Sequence, residues 1–472
     1  MPTATSRLPP RRHSSAVGMV AGAKVKGKGR LRAEEEEGQG MDRISGLPDA
    51  ILGDIVSLLP AKDSARTQVL SSRWRCIWLS APLNLDLRFH PIPFGAVTHI
   101  LSSHPGPGRR FSTPVGHYCY NLSAANLDDC LLSPALNNLQ ELSFGYDVAC
   151  DGNWGNPPPL PASVLRLSPW RWNWQDPPPL LTSALRFSRT LRIARFRVCR
   201  FPDEINVHLP LLQELGLSKV IISESSLQAL LAGCPALQSL MLTDNNGYSS
   251  VHIASPTLRS MYVASGSRDI KLQRLIIEDA PCLERLHDRA RHGEVMKILV
   301  ISAPKLGTLG HLDDRLTTLQ VGTAVFQGLR PVTMTAVVRS VKVIALKNTK
   351  LSLDVILNFM RCFPCLEELN IRTIFGGKKN VWGPKYRNLR HLKKLVLIGY
   401  EGCESHVNFV KFFVLKARVL ESIRLEVPFT YIMSRWIGGQ RKLLQFEKRA
   451  SRSAQLDIEL VRGYQTEALL EA

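Results

Sequence analysis

No apolar run in this chain approaches the roughly 20 residues needed to cross a bilayer, and the short Gly-rich stretch from Ala16 to Ala23 is a poor signal-peptide core. A membrane partner is therefore not expected. Ten cysteines are present, but without repeating spacing, which argues for reduced thiols and a location in the nucleus and/or cytoplasm. The single CxxC, Cys362 to Cys365, lacks the second pair a zinc site requires. HExxH, GxSxG and a closed P-loop are all missing, since the FGGKK run at Phe375 to Lys379 has neither the spacing nor the terminal hydroxyl. No catalytic residue, metal ligand or cofactor is expected. Acidic residues are also scarce: 40 Asp and Glu stand against 60 Lys and Arg, for a net charge of +20. That excess raises an alternative function, a basic repeat scaffold binding nucleic acid or acidic proteins. Arg186, Arg189, Arg192, Arg195, Arg197 and Arg200 motivate it. It ranks second, because cations between apolar repeat positions are ordinarily solvated surface.

What is present begins with the stretch from Asp42 to Phe89. Pro48 can open a helix, Asp49 suits its first turn, and Pro60 ends it. Ile51, Leu52, Ile55, Leu58 and Leu59 lay an apolar stripe between them. Asp63 or Ser64 can cap a second helix carrying Ala65, Val69 and Leu70. Ser71 or Ser72 can cap a third, with Trp74, Ile77 and Trp78 on one face. Three short helices cannot bury this much apolar surface among themselves, so a partner or a following domain must cover the rest.

With its LPDAIL, LLPAKDSART and LSSRWRCIW motifs, the stretch resembles the F-box of plant F-box proteins. The resemblance implies docking on a Skp-type adaptor and, through it, a cullin in an SCF ubiquitin ligase. Carried over position by position, the adaptor-binding candidates are Leu47, Pro48, Ile51, Leu52, Ile55, Leu59, Pro60, Val69, Leu70, Trp74 and Trp78.

Past this module a degenerate repeat runs through the chain: Pro, any residue, Leu, two residues, Leu or Met, one residue, and an apolar one. Pro210, Pro235, Pro256, Pro281 and Pro304 stand 25, 21, 25 and 23 residues apart, within the leucine-rich-repeat range. The rhythm without proline recurs at Leu139, Leu316, Leu392 and Leu420. Alternating apolar residues on a short strand point inward, and each unit buries them only against its neighbours. The expected fold is thus α/β: an N-terminal three-helix module, then an irregular solenoid with parallel strands on its concave face. Ser223 to Cys234 reads as a convex-side helix, with Ser223 or Ser225 near the cap. The register places Glu214, Met241, Tyr262, Gln320, Asn370, Arg372 and Arg424 on the concave face as candidates for binding an unknown target protein, with Ser239, Ser260, Thr318, Glu368, Ser422 and Glu426 around them.

Two stretches break the rhythm. From Asp151 to Leu181, two Pro triplets accompany Trp154, Trp170, Trp172 and Trp174, read as an irregular early repeat rather than a gripping loop. From Phe363 onward the sequence resembles the FBD-type C-terminal region of plant F-box proteins with leucine-rich repeats, which adds fold rather than chemistry. The expected organisation is a disordered extension over 1–40, the F-box over 41–89, the repeats over 90–362 and the FBD-like region over 363–472.

Overall fold

The computed structural model describes residues 44–461 apart from position 45 and the intervals 89–91, 114–123, 147–176, 205, 265–271, 289–295, 314–315, 333–335, 348–350, 374–388 and 429–433. The 1–40 extension, the four tryptophans of the Pro-rich stretch and the FGGKK run lie outside the described residues. The chain divides into a unit ending at Leu47 and a second from Pro48 to Ala472. In the first, the Leu47 N–H closes a turn onto the Ile44 carbonyl.

The second unit opens with three helices, α1 (Asp49–Leu58), α2 (Ala61–Arg66) and α3 (Ser72–Ser80). Pro48 is the N-cap of α1 and Ser71 that of α3, where its hydroxyl accepts the Trp74 N–H. Neither Asp63 nor Ser64 caps α2. Pro60 takes that position, because its missing N–H and fixed φ suit a helix entry that leaves donors unpaired anyway. Ion pairing of Arg73 with Asp49 at 2.7 Å ties α3 to α1.

The remainder is dominated by one sheet of fourteen strands among the described residues, hydrogen-bonded in chain order. Its strands include Leu83–Asp86, Gly108–Ser112, Glu141–Gly145, Ile193–Arg197, Glu214–Ser218, Ser239–Thr243, Ser260–Ala264 and Arg285–Asp288. Thr308–Asp313, Val343–Lys347, Glu368–Arg372, Lys394–Ile398, Ser422–Pro428 and Gln455–Val461 complete it. All neighbouring pairs are parallel, as in a solenoid that adds one strand per turn. Register aligns one inward position from strand to strand: Leu215, Leu240, Met261, Leu286 and Leu309, then Ile344, Leu369, Leu395, Ile423 and Leu456. Every member of that row is buried.

The repeat with Leu306 and Leu309 loses its final apolar residue for a local reason. His311 has a φ of +57°, and the register slips by one residue between Leu309 and Leu312. This bulge brings Leu312 into the inward place opposite Leu346. In the Pro281 repeat the corresponding inward place is taken by Asp288, opposite Val263 and buried.

Helices cover part of the sheet's other side. Glu224–Ala232 starts at Ser223, whose hydroxyl accepts the Ser226 N–H at 3.2 Å, and buries Leu227 and Leu230. Glu404–Lys416 buries Phe409, Val410, Phe412, Phe413 and Val414. Between residues 250 and 331, however, the backing is a second sheet. It contains Ser250–Ala254, Arg274–Asp279, Lys297–Val300 and Thr318–Val321 in parallel, followed by the short antiparallel strands Ala324–Gln327 and Arg330–Pro331.

The three-helix module is seated on the first strand by a small polar joint. Asn84 donates to the Ser57 carbonyl. His104, 5% exposed, donates from Nε2 to the Trp78 carbonyl at 2.9 Å and accepts the Gly106 N–H on Nδ1 at 3.1 Å. That pattern requires the neutral ring with its proton on Nε2. The Trp78 and His104 rings meet edge to face, 4.5 Å apart.

If the aligned inward row carries the fold, Leu369→Ala, at a fully buried position, should cost about 2–5 kcal/mol. A lowered denaturant midpoint checks it, and an unchanged midpoint would contradict it.

Candidate protein-docking faces

Two surfaces gather the sequence-derived candidates. On the first module, helix packing splits the apolar stripe of α1. Leu52, Gly53 and Val56 face inward and, with Ile77 of α3, form the interior. Leu52 is fully buried, so it serves the core and not a docking surface. Ile51, Ile55 and Leu59 stay exposed, Leu58 is 79% exposed, and Val69 and Leu70, in the turn between α2 and α3, are 85% and 65% exposed. Pro48 and Pro60 are exposed, Leu47 is half-buried, and Trp74 and Trp78 are half-buried, Trp78 against His104. Leu58 belongs to the exposed set although the motif carry-over passed over it; its place in the helical stripe was the available signal.

The second surface is the face of the large sheet directed away from the core. Glu214, Met241 and Tyr262 lie on three successive strands of it, with Met241 directly opposite Tyr262. Asn370 and Arg372 lie four strands beyond Tyr262, and Arg424 lies six strands beyond it. Gln320 and Thr318 are not with them. Their strand belongs to the second sheet, beside Lys297–Val300, because the repeat unit there closes on the backing layer. Glu426 does share the row of Arg372 but is only 5% exposed.

Charges on this face pair across neighbouring strands. Arg110 meets Glu141 at 2.6 Å, Arg195 meets Glu214 at 2.5 Å, Lys394 meets Glu368 at 3.0 Å and Arg424 meets Glu459 at 3.2 Å. Asn370 donates to the same Glu368 carboxylate at 3.0 Å. Arg195 is thus neutralised within the sheet, and Arg186 donates to the Ser133 carbonyl while lying over the Phe187 ring. Two of the six arginines of that segment are thus engaged within the fold, while Arg189, Arg192 and Arg200 are exposed.

His287, next to Tyr262 in the same row, went unnoticed in the sequence. Its ring lies against Gly310, where any Cβ would clash with Nδ1. Nδ1 itself has no partner among the described residues. Burial, assisted by the charge of Arg285, lowers the pKa of this histidine and keeps it neutral. The register could have found it, since it follows Leu286 by one position.

Nucleophile chemistry is not prepared at the buried thiols. Cys130, itself buried, is among the residues lining a cavity of about 600 Å³ with Thr98, His104, Asp129 and Ser133, but burial, then Asp129, pushes its thiol up to about 11. Cys362 of the CxxC is likewise raised by burial. Among the described residues no group of three or more His, Cys, Asp or Glu could hold a metal, and no helix is long and apolar enough to cross a membrane.

Comparison with known proteins puts names to these regions. A family model for the F-box domain matches residues 44–86, one described as the LRR repeats of FBD-associated F-box protein At5g56370 matches 167–371, and one for FBD matches 388–425. None describes an enzyme. The chain is similar to F-box/LRR-repeat protein At4g14103 of Arabidopsis thaliana, 27% identical over 260 residues, covering 51% of this chain and 60% of the relative. It is similar to F-box/FBD/LRR-repeat protein At3g26920 of the same plant, 27% identical over 237 residues and 47% of each chain. FBD-associated F-box protein At5g27750, also of Arabidopsis thaliana, is 49% identical over 55 residues, 12% of each chain. The chain spans about half the length of the curated relatives it matches over the repeats.

Glu426 gives this face a pH dependence. Burial raises its carboxyl above the usual range; Arg424 opposes the shift, Glu459 adds to it and Arg372 opposes it again. An acid with a raised folded pKa contributes stability below its unfolded pKa and loses it as pH rises through the folded value. Wild type should therefore lose Tm relative to Glu426→Gln as pH rises from the ordinary value of 4.5. Parallel melting curves across pH check this, and a constant difference would refute it.

Proposed function

We propose that this chain, which joins an F-box to leucine-rich repeats and an FBD region, is the substrate-recognition subunit of an SCF-type ubiquitin ligase. Its F-box docks on a Skp-type adaptor and through that on a cullin, and the outward face of the large sheet binds a target protein in the nucleus and/or cytoplasm. The observation that carries the reading is the uncovered apolar set Ile51, Ile55, Leu58, Leu59, Val69 and Leu70, on a module whose own interior is already filled by Leu52, Val56 and Ile77. Burying one aliphatic side chain of this size is worth about 1.5–3 kcal/mol, so a partner covering several of them gains a stable interface. F-box domains generally meet Skp-type adaptors in this way, which supports the assignment.

The chain acts by placement. Holding a target's lysine near a charged conjugating enzyme raises its effective concentration, while other ligase subunits carry out the transfer. Met241, Tyr262, Asn370, Arg372 and Arg424 are the target-facing groups under this reading, with Glu214 held by Arg195 and His287 added beside Tyr262. Gln320 is not one of them.

Val69→Asp combined with Leu70→Asp places charge at exposed positions, so the module should stay folded. Co-purification of residues 41–472 with a plant Skp-type adaptor should fall at least tenfold, which corresponds to about 1.4 kcal/mol. Unchanged recovery would refute the adaptor assignment.

A further inference from the structure

The two ends of the large sheet are finished differently. At its first strand the F-box helices close the stack, through the Asn84 side chain on the Ser57 carbonyl and His104 on the Trp78 carbonyl. At its last strand, Gln455–Val461, nothing among the described residues pairs beyond it. The Gln455 N–H donates back to the Glu421 carbonyl, and backbone groups alternate sides along a parallel strand. Leu456, Ile458 and Leu460 therefore turn their N–H and C=O groups toward the open side. Arg441 donates to the Leu456 carbonyl at 3.3 Å, and from Ile458 onward the edge meets no partner strand among the described residues.

Side chains on this strand carry the same message. Its inward row runs from buried Leu456 through half-buried Ile458 to Leu460, 41% exposed. The row that is covered on every interior strand thus lacks its next neighbour here. The outward row presents Asp457 and Glu459, both exposed. On the interior strands, acids of this face find a cation across one strand boundary: Glu141 with Arg110, Glu214 with Arg195, Glu368 with Lys394. Glu459 has Arg424 behind it. Asp457 lies opposite Arg424, but that cation pairs with Glu459 instead; among the described residues Asp457 makes no ion pair, which leaves it to meet a cation on a strand that would follow.

We infer that the terminal strand Gln455–Val461 is a docking edge that accepts an extended segment of another protein in which Lys or Arg alternates with aliphatic residues. The segment pairs in parallel with Ile458 and Leu460, lays its aliphatic side chains beside them, and sets its cations against Asp457 and Glu459. Strand addition of this kind draws affinity from main-chain hydrogen bonds and specificity from alternate side chains. A second copy pairing through the same edge is disfavoured, because it would bring two sets of acids face to face. The inference is independent of the ligase assignment, since it concerns the opposite end of the sheet from the F-box.

The test uses the full chain and a fluorescein-labelled peptide, acetyl-Lys-Val-Lys-Ile-Lys-Val-Lys-amide, followed by anisotropy at about 0.1 M salt, where the screening length is about 10 Å. The net charge of +20 opposes indiscriminate adsorption of such a peptide. Saturable binding is expected, absent for the peptide with Glu in place of Lys and weakened at least tenfold by Asp457→Lys. Leu460→Pro removes an N–H from the open side only and should weaken binding similarly; circular dichroism checks its folding, and Asp457→Lys decides the matter if it unfolds. The Val69→Asp, Leu70→Asp chain should bind the peptide unchanged, which separates this edge from the F-box. No saturable binding to the full chain, including the case where its own residues after Val461 occupy the edge, would overturn the inference. So would binding by both edge variants as tight as that of the wild-type chain, or self-association of the wild-type chain that Leu460→Pro abolishes.

Discussion

Burial of one inward apolar residue per strand against the same residue on the next strand is the constraint on which this molecule depends. From Leu215 to Leu456 the row passes through ten strands, each contributing Leu, Ile or Met. No single unit can satisfy that row alone, so stability is a property of adjacency. Every other feature is arranged around it. The bulge at His311 returns Leu312 to the neighbouring inward place opposite Leu346, the backing layer changes from helices to strands without disturbing the row, and the F-box helices are seated on the first strand of the sheet.

The outward face answers to a different rule. Its residues are free of core packing, yet their charges pair between neighbouring strands, so the face is a set of local ion pairs with neutral groups between them. Exposed surface pairs of this kind contribute little to stability. Their value lies in holding long side chains in fixed positions, which leaves Met241, Tyr262 and His287 as a contiguous neutral stretch at the centre. Glu426 is the exception, a carboxyl drawn into the sheet with two arginines for company.

Much of this was legible in the sequence, because the strand signal is periodic. The Pro and Leu spacing located strands at Glu214, Ser239, Ser260, Glu368 and Ser422 and gave the side-chain alternation on each. It did not separate the two sheets: Leu316, Leu319 and Val321 have the same spacing as their counterparts, and only the choice of hydrogen-bonding neighbour assigns them to the backing layer. Leu52 was indistinguishable from Ile51 and Ile55 for a similar reason, since a stripe on a short helix does not say which part turns inward. The cap of α2 was missed because Asp63 and Ser64 are good capping residues on composition, and Pro60 acts by geometry instead. His287 was hidden by its commonplace repeat context, and Gly310, which makes room for it, has no signature of its own.

The joint between the F-box and the first strand sets a scale. His104 and Asn84 join the helices directly to the sheet through hydrogen bonds, so the exposed apolar helix face and the strands are linked without an intervening loop at that joint. Tyr262 and Arg424 stand six strands apart, or roughly 30 Å at about 4.8 Å per strand. Ligands seated at Tyr262 and at Arg424 would therefore be held about that far apart along the sheet, so the strand a ligand selects sets how far from the helical module it is carried.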